Sequence, residues 1–177
     1  QDTRLRILTR DREQALSAVL LGEADLAVTV ADEVPPAVLA RPLLRVSASV
    51  VLPAAHPLAR KRAVSLASLS GERLIVPPLG RPLRAALAHA FSEARVSFTP
   101  SIEVTGWELM LCFAELGLGV AIVNDFCKAP KGTVKRPLRG LPSVQYQLLR
   151  LRERRPTESA RALEHAVESE VRKLDRS

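Results

Sequence analysis

The sequence predicts an α/β protein in which short strands alternate with helices. Short apolar runs such as residues 25–30 and 120–123 have the composition of buried strands. Between such runs stand amphipathic segments that open with a capping residue and close at a glycine. Residues 43–52 alternate apolar and polar side chains, which is the strongest strand signal of the chain. Strands that alternate with helices of about 10–15 residues favour a mostly parallel sheet.

The N-terminal third predicts a strand, a helix and two further strands. Residues 5–8 form the first strand, and Asp11 with Gln14 forms a capping box that opens a helix ending near Gly22. The apolar face of this helix comprises Ala15, Leu16, Val19 and Leu20. Strands follow at 25–30 and 43–52. In the latter, one face holds Leu44, Val46, Ala48, Val50 and Leu52, and the other holds Arg45, Ser47 and Ser49.

A proline-containing basic connection at 53–63 separates this part from a second βαβ series. Strands are predicted at 73–76, 101–104 and 120–123. A helix begins at Pro82, with an inward face of Leu83, Leu87, Ala90, Phe91 and Ala94. A second helix opens with a capping box from Thr105 to Glu108 and ends at Gly117. Its predicted inward residues are Leu109, Cys112, Phe113 and Leu116.

The C-terminal part predicts a loop at 128–142, a strand at 144–151 and a final helix that starts at Pro156 and Thr157. The apolar stripe of this helix comprises Ala160, Leu163, Val167, Val171 and Leu174. Glu168 and Arg172 are spaced for an ion pair one helical turn apart.

Composition narrows the class of protein. No apolar run reaches the roughly 18 residues of a membrane span, and the charged N-terminus is unlike a signal peptide, so we expect a soluble cytoplasmic protein with no membrane partner. The net charge of +7 lies in residues 128–177, which hold 13 basic and 6 acidic side chains. Contact with a polyanion and a solvated basic face both explain this excess. The second is favoured, because aromatic residues are not interleaved with the charges.

Motifs of catalysis and metal binding are missing from the sequence. There is no Gly-x-Ser-x-Gly and no Walker loop, and the glycines at 117–119 follow a helix instead of a strand. The three histidines lie far apart, so we expect no metal, no cofactor and no catalytic residue. Cys112 is expected to be a buried inert thiol. For Cys127, a redox-sensing thiolate near Lys128 and Lys131 is the alternative to an ordinary loop cysteine.

Five segments, in this order and spacing, resemble the effector-binding half of LysR-type transcription regulators. They are LLGEADLAVTV (20–30), LPAAHPLA (52–59), the Gly-x-x-Leu-Ile-x-Pro turn (71–77), GLGVAIV (117–123) and the stretch 122–142. The resemblance implies a fold like that of type 2 periplasmic binding proteins, with two lobes of mixed sheet and helices. Lobe one would be residues 1–52 plus 145–177, lobe two would be 53–144, and two crossing strands near 51–53 and 143–145 would join them.

The resemblance also implies what this chain lacks. The winged helix-turn-helix and the first strand-helix unit of lobe one have no counterpart here. We therefore expect DNA contact only through an N-terminal domain that is absent from the chain. Family members act as homodimers or tetramers, and the helix at 11–21 is expected to take part in a homodimer contact.

The same resemblance implies a ligand site at three helix N-termini, which are natural anion sites. The implied residues are Arg10, Asp11, Arg12, Gly80, Arg81, Pro82, Leu83, Thr105, Gly106 and Trp107. Ser47 and Ser49 are further candidates, although a solvated strand face explains them too. Trp107 would either stack on a ligand or fill space at the lobe interface. A small anion, most simply a carboxylate, is the expected effector. A transport-type solute-binding protein is the alternative function, and an enzyme on the same fold is a weaker one.

Overall fold

A computed structural model describes residues 4–31 and 33–174, which form two compact units. Unit 1 comprises Gln1–Arg45 with Val144–Ser177, and unit 2 comprises Val46–Ser143. Both combine a sheet with helices, which confirms the predicted α/β class. The lobe boundaries near residues 52–53 and 144–145 stay predictions.

Thirteen strands and α-helices make up the described parts of the chain. In chain order they are α1 (Arg12–Leu20), β1 (Ala27–Val30), β2 (Val38–Val46), β3 (Ala48–Pro53), β4 (Val64–Ser65), β5 (Leu74–Val76), α2 (Pro82–Glu93), β6 (Pro100–Glu103), α3 (Trp107–Glu115), β7 (Val120–Asn124), β8 (Thr133–Arg139), β9 (Val144–Leu151) and α4 (Glu158–Leu174). Two short 3-10 turns lie at Pro57–Arg60 and Leu66–Leu69.

Unit 1 is a three-stranded sheet in the order β1-β9-β2, with α1 packed on β1 and β9. The predicted capping box opens α1. Gln14 N donates to Asp11 Oδ1 at 2.9 Å, and Asp11 N donates to Gln14 Oε1 at 3.5 Å. Val19 from α1 and Leu149 from β9 are fully buried in the small core of this unit. The capping box of α1 is thus confirmed, and its predicted apolar face is confirmed at Val19 but not at Leu20, which is 38% exposed.

Helix α4 follows a capping contact in which Ala160 N donates to Thr157 Oγ1 at 3.1 Å. Two glutamates of this helix form ion pairs with an arginine of β2. Arg41 reaches Glu164 at 2.7 Å and Glu168 at 2.9 Å. The predicted pairing of Glu168 with Arg172 is therefore wrong. An arginine from a neighbouring strand approaches Glu168 from the packed side of the helix, where the carboxylate is only 20% exposed.

Two strand predictions are also wrong. Residues 5–8 form no strand, since they do not pair with β1 or with another described strand. The predicted strand 43–52 is two strands that are interrupted at Ser47. The backbone N–H of Ser47 donates to Asp125 Oδ2 at 3.2 Å and its carbonyl accepts from Asp125 N at 2.9 Å, which takes Ser47 out of the strand ladder.

Unit 2 is a six-stranded sheet in the order β4-β8-β3-β7-β5-β6. Strands β7, β5 and β6 are parallel neighbours, whereas β3 is antiparallel to both β7 and β8. Strands β4 and β8 are parallel too, so the sheet is mixed, with three parallel and two antiparallel pairs of neighbours. Strand β8 also shows that the predicted loop 128–142 contains the returning strand that the family resemblance implied.

Two helices cover opposite faces of this sheet. Leu87 and Phe91 of α2 lie in a core cluster with Val50, whereas Met110 of α3 lies in a second cluster with Val51. Because successive strand residues point to opposite faces, β3 is buried on both sides. Ser49 is accordingly 3% exposed, so the solvated face expected for it is wrong.

The predicted inward face of α2 is confirmed except at Ala94, which is exposed and follows the last helical residue, whereas the predicted face of α3 is wrong. In α2, Leu83, Leu87, Ala90 and Phe91 are buried. In α3 the buried residues are Met110 and Ala114, whereas Leu109 is 43% and Leu116 66% exposed. Apolar residues surround α3 on most sides, so periodicity alone did not select its packed face. Cys112 is consequently exposed and not buried.

Candidate functional site

The polar ends of four strands meet at one edge of the unit 2 sheet. The carboxyl ends of β7, β5 and β6 share this edge because the three strands are parallel neighbours. The start of β3 joins them, since Ala48 lies opposite Asn124 in the antiparallel pair. In open α/β sheets, ligands bind outside the carboxyl ends of the strands. This edge is therefore the candidate site, and it is assembled within one unit.

Two helices begin at the same edge. Helix α2 follows β5 through the turn at 77–81, and α3 follows β6 directly. A backbone hydrogen bond from Val104 N to Val76 O, 3.1 Å long, joins the two strand ends. The predicted residues Gly80, Arg81, Pro82 and Leu83 thus come together with Thr105, Gly106 and Trp107. Unpaired N–H groups of helix first turns favour anions in such a position.

The first turn of α2 is suited to donate hydrogen bonds from its backbone N–H groups. Arg81 is the N-cap and its side chain makes no capping bond, while Pro82 lacks an N–H that would need a partner. Gly80 has φ of 82°, a conformation that few residues other than glycine adopt. Leu83 is 8% exposed and its side chain belongs to the core, so only its backbone N–H is suited to meet a ligand.

The start of α3 differs from the prediction. Gly106, with φ of 98°, is the N-cap, and the cap has no side-chain hydrogen bond, so the predicted Thr105 capping box is wrong. Glycine at this point lets the chain turn sharply out of β6, which moves the helix start one residue beyond Thr105. Glu108 lies in the first turn and already places a negative charge at this helix dipole. The α2 start is therefore the stronger anion position of the two.

Sequence reasoning missed two residues that complete the edge. Asn124 is 2% exposed at the end of β7, and Asp125 follows it and binds the backbone of Ser47. In the sequence these two polar residues directly follow the buried apolar run 120–123, and that position could have identified them as site residues. Ser47 is exposed beside them. The edge therefore offers hydroxyl, amide and carboxylate groups as well as helix N–H groups.

A buried arginine stands behind this site. The Arg84 side chain is 10% exposed, donates to Glu103 Oε1 at 3.0 Å and lies with its guanidinium carbon 4.6 Å from the centroid of the Phe98 ring. Phe98 stacks on Phe91 with ring centroids 4.7 Å apart. These contacts connect α2 to β6. They therefore fix the position of the α2 start relative to the α3 start, which follows β6.

The other predicted site residues lie in unit 1. Arg10 and Arg12 are exposed on either side of Asp11, whose carboxylate is engaged in capping α1. Trp107, in unit 2, is partly buried and packs against both hydrophobic clusters of that unit. Trp107 thus packs between the sheet and the helix, and it is also a candidate ligand-binding residue.

Redox and metal chemistry find little support in the side chains described. Burial raises the pKa of the Cys127 thiol to about 11, although Lys135 opposes the shift, so the redox-sensing interpretation of Cys127 is disfavoured. Within residues 4–31 and 33–174 no three His, Cys, Asp or Glu side chains are grouped to share a metal ion. Over the same residues, no helix is both long and apolar enough to cross a membrane.

Two α/β units, one of which gathers strand ends and helix starts at a sheet edge, define a class of small-molecule-binding domain. The chain belongs to the LysR substrate binding domain family, whose profile matches residues 1–172. The family resemblance of the five sequence segments is thereby confirmed. No curated protein sequence matches the chain.

Solved structures of the same family share the fold. The effector binding domain of QuiR in complex with shikimate has a TM-score of 0.74 at 16% identity, over 93% of this chain and 79% of that one. The CcmR regulatory domain of Synechocystis PCC6803 in complex with 2-PG has a TM-score of 0.75 at 17% identity, over 91% and 80%. HinK, a LysR family transcriptional regulator from Pseudomonas aeruginosa, has a TM-score of 0.76 at 18% identity. The match covers 94% of this chain and 59% of HinK.

Proposed function

We propose that this chain is the ligand-sensing domain of a cytoplasmic LysR-type regulator and that it binds a small anion, most simply a carboxylate. The observation that carries the proposal is the start of α2, where Arg81 and unpaired helix N–H groups lie at the carboxyl edge of β5 and β6. An arginine and backbone N–H groups together form charge-assisted hydrogen bonds with a carboxylate. Membership of the family favours this function over a transport protein or an enzyme.

The remaining site residues have supporting roles in this proposal. Ser47, Asn124 and Asp125 would bind neutral polar groups of the effector, because hydroxyl, amide and carboxylate groups can pair with alcohols. Trp107 would cover an apolar part of the effector. Arg10 and Arg12 of unit 1 remain candidates for a second cationic contact. No covalent step is proposed, since binding alone is sufficient for a sensor.

The effector would act by differential affinity. A ligand shifts an equilibrium between two arrangements only by as much as it binds one of them more tightly. In a homodimer or tetramer, such a shift would change promoter contact through a DNA-binding domain that lies outside residues 1–177. The ligands of QuiR and CcmR show that domains of this fold take small molecules.

The test is a thermal-shift screen followed by calorimetry. The panel contains shikimate, 2-PG, benzoate and citrate, with glucose and putrescine as neutral and cationic compounds. A ligand that binds only the native state raises the melting temperature. We expect a carboxylate to do so and Arg81→Ala to weaken its binding about tenfold or more, because a charge-assisted contact is worth roughly 1.5–3 kcal/mol.

Arg62→Ala is the matched control, since Arg62 is an exposed arginine of the same unit outside the site. It should bind like the unmodified chain. Stabilisation by glucose or putrescine alone, or equal affinity of the Arg81→Ala and Arg62→Ala proteins for the carboxylate, would contradict the anion site.

A further inference from the structure

Positive charge is concentrated in two segments of unit 2. Residues 46–143 contain 12 Lys and Arg residues and 6 Asp and Glu residues. Eight of the 12 basic residues and none of the acidic ones lie in residues 54–71 and 126–143. The rest of the unit holds four basic and six acidic residues, so the net positive charge of unit 2 comes entirely from these two segments.

The fold places the two segments side by side at one edge of the six-stranded sheet. Within the described residues β4 is the last strand at this edge, and it is parallel to β8, with Ser65 opposite Arg139. Where β8 begins, Ala54 N donates to Gly132 O at 3.0 Å. Strands β5, β6 and β7 and two helices separate the segments in the sequence, so only the sheet brings their charges together.

Side-chain contacts show which cations belong to this edge. Arg136 Nε donates to Ala59 O at 3.1 Å, which places its guanidinium beside the first 3-10 turn. Lys61 Nζ donates to Ser68 Oγ at 2.9 Å, and the Ser68 and Ser65 hydroxyls share a 2.9 Å hydrogen bond. The name basic edge is used below for the six cationic residues along β4 and β8, which are Arg60, Lys61, Arg62, Lys131, Arg136 and Arg139.

Acidic side chains do not neutralise the basic edge. In the described parts of the chain none of its six residues takes part in an ion pair, and all except the half-buried Arg136 are exposed. Glu72 directly follows the first segment and pairs with His56 at 3.3 Å. Asp125 directly precedes the second segment and binds the backbone of Ser47. The basic edge is therefore suited to an external polyanion.

The length of the basic edge suits the backbone of duplex DNA. Strand β8 has seven residues and spans about 20 Å at about 3.3 Å per residue. The same length of duplex carries about twelve phosphates, at one charge per roughly 1.7 Å, and about half of them face one side. The hydroxyl groups of Ser65 and Ser68 lie beside the cations, and hydroxyls bind phosphate oxygens together with Lys and Arg.

The aromatic residues favour a duplex over a single strand. Single strands bind largely by stacking their bases on aromatic side chains. Residues 54–71 contain no Phe, Tyr or Trp, and the one aromatic residue of the second segment, Phe126, packs against the hydrophobic cluster on the α3 side of the sheet. Contacts to the phosphates of a duplex need no stacking, because these groups lie on the outside of the double helix.

We propose that the basic edge binds the phosphate backbone of duplex DNA without reading its sequence. Phosphate contacts position a protein on DNA but carry no base information. This contact adds to the one expected from a separate sequence-reading domain, and it brings unit 2 itself against the DNA. The inference goes beyond the effector site and does not depend on the identity of the effector.

The first experiment measures fluorescence anisotropy of a labelled duplex of about 20 base pairs, roughly two helical turns. Each neutralised phosphate contributes about −0.9 to the slope of log affinity against log salt, so four to six contacts give about −4 to −5. Affinity should thus fall roughly 100- to 1,000-fold between about 50 and 200 mM salt. A second duplex of unrelated sequence should bind equally well, and a marked preference for either would contradict the proposal.

A triple variant with Arg60→Ala, Lys61→Ala and Arg139→Ala tests the location. It should bind at least tenfold more weakly at about 50 mM salt and reduce the slope by about 3, since each lost phosphate contact removes about 1. The control replaces three exposed arginines outside the basic edge and removes the same charge. These are Arg95→Ala, Arg161→Ala and Arg172→Ala. The control should bind almost as tightly as the unmodified chain, and circular dichroism checks that both variants are folded.

Lysine acetylation followed by mass spectrometry locates the contact directly. Saturating duplex should slow acetylation of Lys61 and Lys131. Lys173 is the internal control, because it lies in unit 1 with a side chain that is 68% exposed, and the duplex should leave its acetylation unchanged.

Four results would overturn the proposal. Equal weakening by both triple variants would show that net charge alone attracts the DNA. A single strand with the same number of phosphates that binds as tightly as the duplex would contradict the choice of a double helix. Equal protection of Lys61 and Lys131 by polyglutamate would point to an acidic protein instead. Acetylation that is unaffected by the duplex would leave these cations only the role of preventing edge-to-edge association of sheets.

Discussion

Gly119 is expected to be the glycine whose replacement destabilises unit 2 most. A Cβ at this position would lie 2.4 Å from the carbonyl oxygen of Arg73 and 3.3 Å from Cγ1 of Ile75. The first neighbour is backbone of the chain entering β5, so it cannot move aside as a flexible side chain could. The same carbonyl accepts the hydrogen bond from Val120 N, 2.8 Å long, that aligns β7 with β5.

The magnitude follows from these contacts. Overpacking costs about 1–3 kcal/mol, and loss of one backbone hydrogen bond adds about 1 kcal/mol. Gly119→Ala should therefore lower the free energy of unfolding by about 2–4 kcal/mol. The control is Gly117→Ala. Gly117 has φ of +74°, but no atom lies within 4 Å of the Cβ that alanine would add, so only the left-handed backbone cost of about 1–2 kcal/mol applies.

The assay is urea unfolding followed by fluorescence of Trp107, the only tryptophan. Its side chain packs against both clusters of unit 2, so its emission reports the folding of that unit. The slope of the transition should be unchanged while its midpoint falls. A Gly117→Ala protein that is as unstable as Gly119→Ala, or less stable, would refute the reasoning from close contact.

Two further perturbations test unit 1 and the cysteines. Arg41→Ala should lower the stability of unit 1 by about 1 kcal/mol, because Arg41 bridges Glu164 and Glu168, whereas Lys173→Ala, which breaks an exposed pair with Glu170, should cost less than about 0.5 kcal/mol. Hydrogen exchange along α4 measures both, and equal exchange in the two variants would argue against the bridge. At about pH 7.5 a thiol reagent should modify Cys112 in the native protein and Cys127 only after unfolding, because burial raises the pKa of Cys127 to about 11 and keeps its thiol protonated. Mass spectrometry of the labelled peptides distinguishes the two, and rapid native labelling of Cys127 would contradict its burial.

Local patterns in the sequence determined several elements correctly. The capping box of Asp11 and Gln14, the apolar face of α2 and the strand Val144–Leu151 all follow from side chains within a few residues of one another. Such signals need no knowledge of the remaining chain, because caps and periodic faces are properties of a single segment. The order of five short segments likewise determined the family.

Other features depended on partners distant in sequence. The interruption at Ser47 comes from Asp125, 78 residues away, and the pairing of Glu164 and Glu168 comes from Arg41 in another strand. The run 5–8 has a strand-like composition, but a strand needs a hydrogen-bonded neighbour, and these residues pair with no described strand. The inward face of α3 was also undetermined locally, because apolar side chains lie around most of that helix.

The candidate site also has a part that the sequence determined and a part that only the tertiary structure brought together. The sequence by itself determined that Pro82 opens a helix, and the family resemblance implied the candidates Gly80, Arg81, Pro82, Leu83, Thr105, Gly106 and Trp107. Only the tertiary structure decided that these two helix starts share an edge with Asn124 and Asp125 and that Gly106, not Thr105, is the N-cap of α3. The physical reason is that strand order and direction result from hydrogen bonds between segments far apart in the chain, and no local periodicity encodes them.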